Sequence, residues 1–214
     1  MAIDVGHSSR NPGAISARGV PEFEFNAALA RVIRDTLSLR GTRVVSIGED
    51  GTMVDLRLRT ATAADGGATF FLSIHHDSAD PKYFQPWEWQ GVERTYADQF
   101  SGFSLFVSRK NPQVEASLRC ASTIGAALKE QGLHPSPHHA ENIPGQNREW
   151  ADEANGVYYY DDLIVLKTAT MPAVLLEAGV IVNRREEQAV QEPEMRSAIS
   201  AAVERGLVAC GAIN

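Results

Sequence analysis

Apolar runs of three to eight residues alternate along the chain with longer stretches in which apolar positions recur every three or four residues, the pattern of strands feeding crossover helices. "AIDV" reads as a short first strand. "PEFEFNAALARVIRDTLSLRG" follows as a helix with Pro21 near its first turn and Gly41 past its end, and Phe25, Leu29, Val32, Ile33 and Leu37 form one apolar face. "TRVVSIG" is the next strand and "DLRLRTATAAD" the next helix. "TFFLSIH" is apolar almost throughout, as a strand buried on both faces must be, and so takes a central place. Further on come a strand in "GFSLFVS", a helix over about residues 114–131, "VYYYDDLIVL", the apolar strand "PAVLLEAG" and a closing helix over about residues 193–208. Two stretches fit neither period, residues 78–102 and 134–156. They are too long for ordinary connections and read as functional loops.

This order predicts a single α/β domain over residues 1–214 with a mostly parallel central sheet flanked by helices on both faces, a three-layer arrangement. A chain of 214 residues, 43% hydrophobic and 22% charged, is long enough to core one such domain. No run is long enough and apolar enough to span a membrane, and "MAIDVGH" has neither the basic start nor the apolar middle of a signal peptide. With 20 Lys and Arg against 27 Asp and Glu, the chain lacks the basic footprint of a nucleic-acid or anionic-lipid binder. Cys120 and Cys210 are too few and too separated for a zinc ribbon or a disulfide scaffold. One optional disulfide or two buried thiols both fit, and buried thiols are the favoured expectation.

Chemistry gathers at strand ends. In "FFLSIHHDS" the pleat sends His75 and His76 to opposite faces, so at most one of them is a good metal ligand. "AIDVGHSS" delivers a second histidine, His7, to the same edge, where open parallel sheets bind their ligands. Two histidines ask for a third donor of carboxylate or histidine type to complete a catalytic zinc site. Glu22 and Glu24 compete for that place, and about 200° separates them around a helix, so only one faces it. Glu177 ends the apolar strand of "PAVLLEAGVIVN". A carboxylate there is costly unless it is paired, protonated or bound to a cation, which suits a general base. Trp87, Trp89 and the loop histidines His134, His138 and His139 divide between anchoring roles and substrate contact, with exposed or structural roles favoured for the histidines.

In order along the chain, "IDVGHSSRNPGA", "EFEFNAALA", "FLSIHHDS" and "MPAVLLEAGVIVN" resemble the motif blocks of the zinc-dependent N-acetylmuramoyl-L-alanine amidases of the type 3 class. The resemblance covers most of the chain. It implies a Zn²⁺ cofactor held by His7, Glu22 and His75, with Glu177 as catalytic base. The family's glutamate is followed four residues later by Asn, which Glu22 with Asn26 satisfies and Glu24 does not. Ser8 and Ser9 stand where the family has glycines, and His76 and Asp77 where it has a small residue and Asn. The segment "KYFQPWEWQGVERTY" reads as an addition to the family minimum.

The implied reaction is hydrolysis of the bond between N-acetylmuramic acid and L-alanine, with peptidoglycan or a muropeptide as substrate. A zinc carboxypeptidase or other peptidase, and a non-catalytic wall-binding module of the same fold, are the alternatives. Such a substrate implies a periplasmic or extracellular protein whose signal or anchoring region is absent from this sequence; a lysis or recycling enzyme made in the cytoplasm fits the same residues.

Overall fold

The computed structural model describes residues 1–143 and 147–214. Along the chain lie β1 (Ala2–Val5), α1 (Glu22–Leu39), β2 (Val45–Ile47), α2 (Leu56–Asp65), β3 (Phe71–Asp77), β4 (Gln85–Trp89), β5 (Val92–Tyr96) and β6 (Ser104–Val107). They are followed by α3 (Val114–Glu130), β7 (Trp150–Asp152), β8 (Val157–Tyr159), α4 (Ile164–Thr168), β9 (Ala173–Val180), α5 (Glu186–Ala189) and α6 (Pro193–Ala209).

Seven strands form one sheet in the order β2-β1-β3-β9-β6-β8-β7, with β3 and β9 at its centre. β2, β1, β3 and β9 run parallel, so their carboxyl ends share one edge. β6 runs antiparallel to β9, and β7 antiparallel to β8. The apolar runs of β1, β3 and β9 send alternate residues to opposite faces, each covered by helices. Ile3, Val5, Leu72, Ile74, Val174 and Leu176 meet α1, α3 and α6, while Ala2, Phe71, Ala173 and Leu175 meet α2 and α4. The expected fold class, a single α/β domain with a helix-flanked and mostly parallel sheet, is the one observed.

Two expectations are corrected. Residues 78–102 are not wholly irregular: β4 and β5 pair as an antiparallel hairpin. Its two-residue turn is made by Gln90 and Gly91, both in the left-handed region (φ 52° and 75°), which matches the right-handed twist of the strands it joins. Cys120 and Cys210 are not free thiols but form a disulfide that ties α3 to the end of α6. Part of the expected 134–156 loop, residues 144–146, lies outside the described residues. The rest carries a 3₁₀ turn at His138–Ala140 and the edge strand β7. Among the described residues, no helix is long and apolar enough to cross a membrane.

Candidate active site

At the shared carboxyl edge, His7 follows β1, His75 closes the regular part of β3, and Glu22 opens α1. Glu22 reaches this edge because residues 8–20 fold back over it. The first amides of α1, which have no partner within the helix, donate to that loop instead: Glu22 N to the Ala14 carbonyl (2.8 Å) and Phe23 N to the Pro12 carbonyl (3.0 Å). The Glu22 side chain is buried, and Glu24 turns to solvent.

The Glu22 carboxylate lies between the two imidazoles, Oε2 at 2.9 Å from His7 Nε2 and Oε1 at 3.0 Å from His75 Nδ1. Burial pushes the Glu22 carboxyl up, but hydrogen bonds and charge from His7 and His75 outweigh it and hold the group well below the usual carboxylate range. One donor atom from each residue falls within 4.8 Å of the others. Two imidazole nitrogens and one carboxylate, brought together at a half-buried edge with one side open, are a donor set that suits zinc with a free coordination position.

The surroundings leave these side chains little freedom. A Cβ on Gly6 would fall 2.2 Å from His75 Nε2, and one on Gly13 would fall 2.4 Å from Glu22 Oε2, so the backbone passes both groups at a distance only glycine allows. His7 itself is left-handed (φ 68°), a conformation that costs a non-glycine residue roughly 1–2 kcal/mol. Arg59 of α2 offsets that cost. Its buried guanidinium donates to Asp4 Oδ1 (2.6 Å), to the Val5 carbonyl (2.5 Å) and to the carbonyls of His7 and Met53. On the opposite face, Asn26 Nδ2 donates to Glu22 Oε1 (3.0 Å) and to the Gly6 carbonyl (3.2 Å), and Asn26 Oδ1 lies 2.8 Å from His76 Nδ1. His76 therefore turns away from the carboxylate that His75 meets, as the pleat requires. Burial lowers its imidazole to about 4.

Glu177 is the register partner of His75 across the β3–β9 pair, on the same face of the sheet. Its Oε2 is buried and has no hydrogen-bond partner among the described residues. Burial, and after it the negative charges of Asp77 and Glu22, raise its carboxyl well above the ordinary value. A cavity of about 310 Å³ opens beside His7 and His75, walled by Met53, Val54, Leu56 and Leu163. A larger one, about 380 Å³, lies at the opposite end of the same strands around Met1 and Thr69, away from these groups.

Other singled-out residues fall to either side of the expectations. Trp87 and Trp89 stack at 5.5 Å, and Trp87 Nε1 donates to the Ala17 carbonyl (3.0 Å), which pins the hairpin to the 8–20 loop. Arg18 sits over Trp89 (4.8 Å) and pairs with buried Glu187 (2.8 Å), fixing that loop from its other side. His134 lies at 3.0 Å from Ser101 Oγ. His138 is buried, within the exposed-or-structural expectation, and together with His139 it faces Asp77. Arg59 was not anticipated: an arginine within an ordinary helical stretch gives no local sign that Asp4 lies against it.

The family model described as N-acetylmuramoyl-L-alanine amidase (Amidase_3) matches residues 1–209. The chain is 25% identical to the N-acetylmuramoyl-L-alanine amidase AmiA of Escherichia coli over 97% of its own length and 74% of that protein. It is 24% identical to a probable N-acetylmuramoyl-L-alanine amidase AmiB of Haemophilus influenzae, over 98% of this chain but only 51% of that one. Among solved structures, the catalytic domain of the amidase CwlV from Bacillus (Paenibacillus) polymyxa superposes with a TM-score of 0.72 at 23% identity, covering 97% of this chain and 95% of that one. The apo form of an N-acetylmuramyl-L-alanine amidase from Mycobacterium abscessus gives 0.75 at 24% identity, covering 98% and 96%. At these identities the structural likeness shows a common fold.

Proposed function

The chain belongs to the N-acetylmuramoyl-L-alanine amidase family, and from that premise we propose that residues 1–214 form a zinc-dependent catalytic domain that frees stem peptides from the glycan of peptidoglycan. The observation that carries the zinc reading is the meeting of His7, Glu22 and His75 from three separate elements, with Glu177 in register beside them.

His7, Glu22 and His75 would hold the ion, and a zinc bound there supplies a Lewis acid that polarises the scissile carbonyl and makes water a better nucleophile. Arg59 fixes the backbone on either side of His7, and Asn26 orients the Glu22 carboxylate, so both donors are held close to where a metal would meet them. Glu177 takes a proton from the attacking water as oxygen bonds to the lactyl carbonyl carbon. It returns that proton to the L-alanine nitrogen as the C–N bond breaks, because an amine leaves poorly unless it is protonated. To act as base Glu177 must be ionised despite its burial and its two anionic neighbours, and a cation held by His7, Glu22 and His75 would supply the opposing positive charge.

Glu177→Gln tests this assignment. The variant is expected to keep its zinc while losing turnover of muropeptides by about 10²–10⁴-fold. Turnover at the unmodified rate would remove Glu177 from the mechanism. The substrate lies outside the cytoplasmic membrane, and the Cys120–Cys210 disulfide suits an oxidising compartment, so we place the working enzyme in the periplasm or outside the cell.

A further inference from the structure

A second group of donors lies on the same edge, apart from the proposed zinc ligands. Asp77 ends β3 beyond a bulge that shifts the register between His75 and Asp77, and its carboxylate is nine-tenths buried. Oδ2 of Asp77 is 2.6 Å from His139 Nε2 and 3.3 Å from His138 Nε2. The two histidines are neighbours in sequence, yet both reach one point because they lie in a 3₁₀ turn rather than a strand; their rings are 4.0 Å apart.

The group is incomplete as a hydrogen-bond network. His139 meets the carboxylate at hydrogen-bond distance, whereas His138 Nε2, on a residue only 3% exposed, lies 3.3 Å from the same oxygen and has no hydrogen-bond partner among the described residues. An unpaired ring nitrogen at this depth is costly, and nothing else within the group supplies a partner. The other nitrogen of His138 is already engaged: Nδ1 lies 2.7 Å from the buried Ser136 Oγ, which leaves the Nε2 lone pair to face Asp77 when Nδ1 carries the proton. Aromatic rings enclose the pair, Phe100 at 5.1 Å from His138 and Phe106 at 4.9 Å from His139.

We propose that Asp77, His138 and His139 bind a second divalent transition-metal ion, of the zinc class. One donor atom from each of the three lies within 4.8 Å of the others. With bonds of about 2.0–2.1 Å, ligand atoms around tetrahedral zinc stand about 3.3 Å from one another. The separation of His138 from Asp77 meets that spacing as it stands, and His139 has to retreat by less than about 1 Å. Two imidazoles and one carboxylate favour zinc or a neighbouring late transition ion over magnesium or calcium, which take oxygen ligands. The ion satisfies His138 Nε2 and ties the 134–143 segment to the end of β3.

Zinc is the probe. The purified chain, stripped with chelator, reloaded with zinc chloride and desalted, is expected to retain about two zinc ions per molecule by elemental analysis. His139→Gln and Asp77→Asn should each retain one, with circular dichroism confirming that they fold. Two zinc ions in both variants overturn the proposal, and so does one zinc in the unmodified chain that both variants also retain. A crystal of the unmodified chain measured at the zinc absorption edge decides independently of any variant. An anomalous peak between Asp77, His138 and His139 supports the second site, and its absence there refutes it. A peak at this site without one at His7, Glu22 and His75 instead refutes the first centre and leaves the second standing.

Discussion

Two carboxylates at the same edge of the sheet are pushed in opposite directions by their surroundings. Glu22 lies between two imidazoles and stays ionised, whereas Glu177 has a buried oxygen with no partner among the described residues and two anionic neighbours. His76 shows the same control of charge by burial. Its imidazole is lowered to about 4 against an unfolded value of about 6.5, so between those pH values the unfolded chain binds a proton that the folded chain refuses. Its contribution, on the order of 3 kcal/mol, is present above pH 6.5 and is lost as the pH falls towards 4. An NMR titration of the metal-free protein should place the His76 midpoint near 4, and a midpoint near 6.5 would mean that the ring is not shut off from water. At this scale the sequence was informative where a periodicity spoke. The pleat separated His75 from His76, and helix geometry allowed only one of Glu22 and Glu24 to face the site. It was silent on His138 and His139, whose meeting with Asp77 depends on the path of a chain segment some 60 residues away.

Among the elements, α2 has the least obvious task. It is short and carries little apolar surface, yet it delivers Arg59 to the end of β1 and so holds His7 in its left-handed backbone. Replacing Arg59 by Met keeps most of the volume and strands the buried carboxylate of Asp4, which among the described residues keeps a side-chain donor in Ser73 Oγ at 2.7 Å. The expected cost is about 3–5 kcal/mol in urea unfolding, together with weakened zinc retention. A change below about 1 kcal/mol would show that the Arg59–Asp4 pair contributes little to stability. The hairpin of β4 and β5 was hidden for a different reason. "VERTY" places three polar residues in a row, Gln-Gly is a weaker turn signal than Asn-Gly or Asp-Gly, and Pro86 argues against a strand in "QPWEW".

Over the whole molecule, alternation of strand and helix made the layered sheet legible, because a parallel strand buried on both faces leaves a continuous apolar run and its crossover helix an apolar stripe. Which helices touch each other is written in no such local pattern. Cys120 and Cys210 are 90 residues apart, and their pairing depends on α3 packing against α6. That disulfide closes a long loop, and replacing both cysteines by serine is expected to lower stability by about 2–4 kcal/mol in denaturant unfolding, without moving the active-site groups. An unchanged midpoint would show that the bond does not constrain the unfolded chain.

The most direct test of the central claim is the identity of the bond that is cut. Purified peptidoglycan digested with the zinc-loaded protein should, by mass spectrometry, release intact stem peptides with a free L-alanine amino terminus and leave glycan strands bearing unsubstituted muramic acid. Stem peptides shortened from within and still attached to the glycan would identify a peptidase instead and contradict the account.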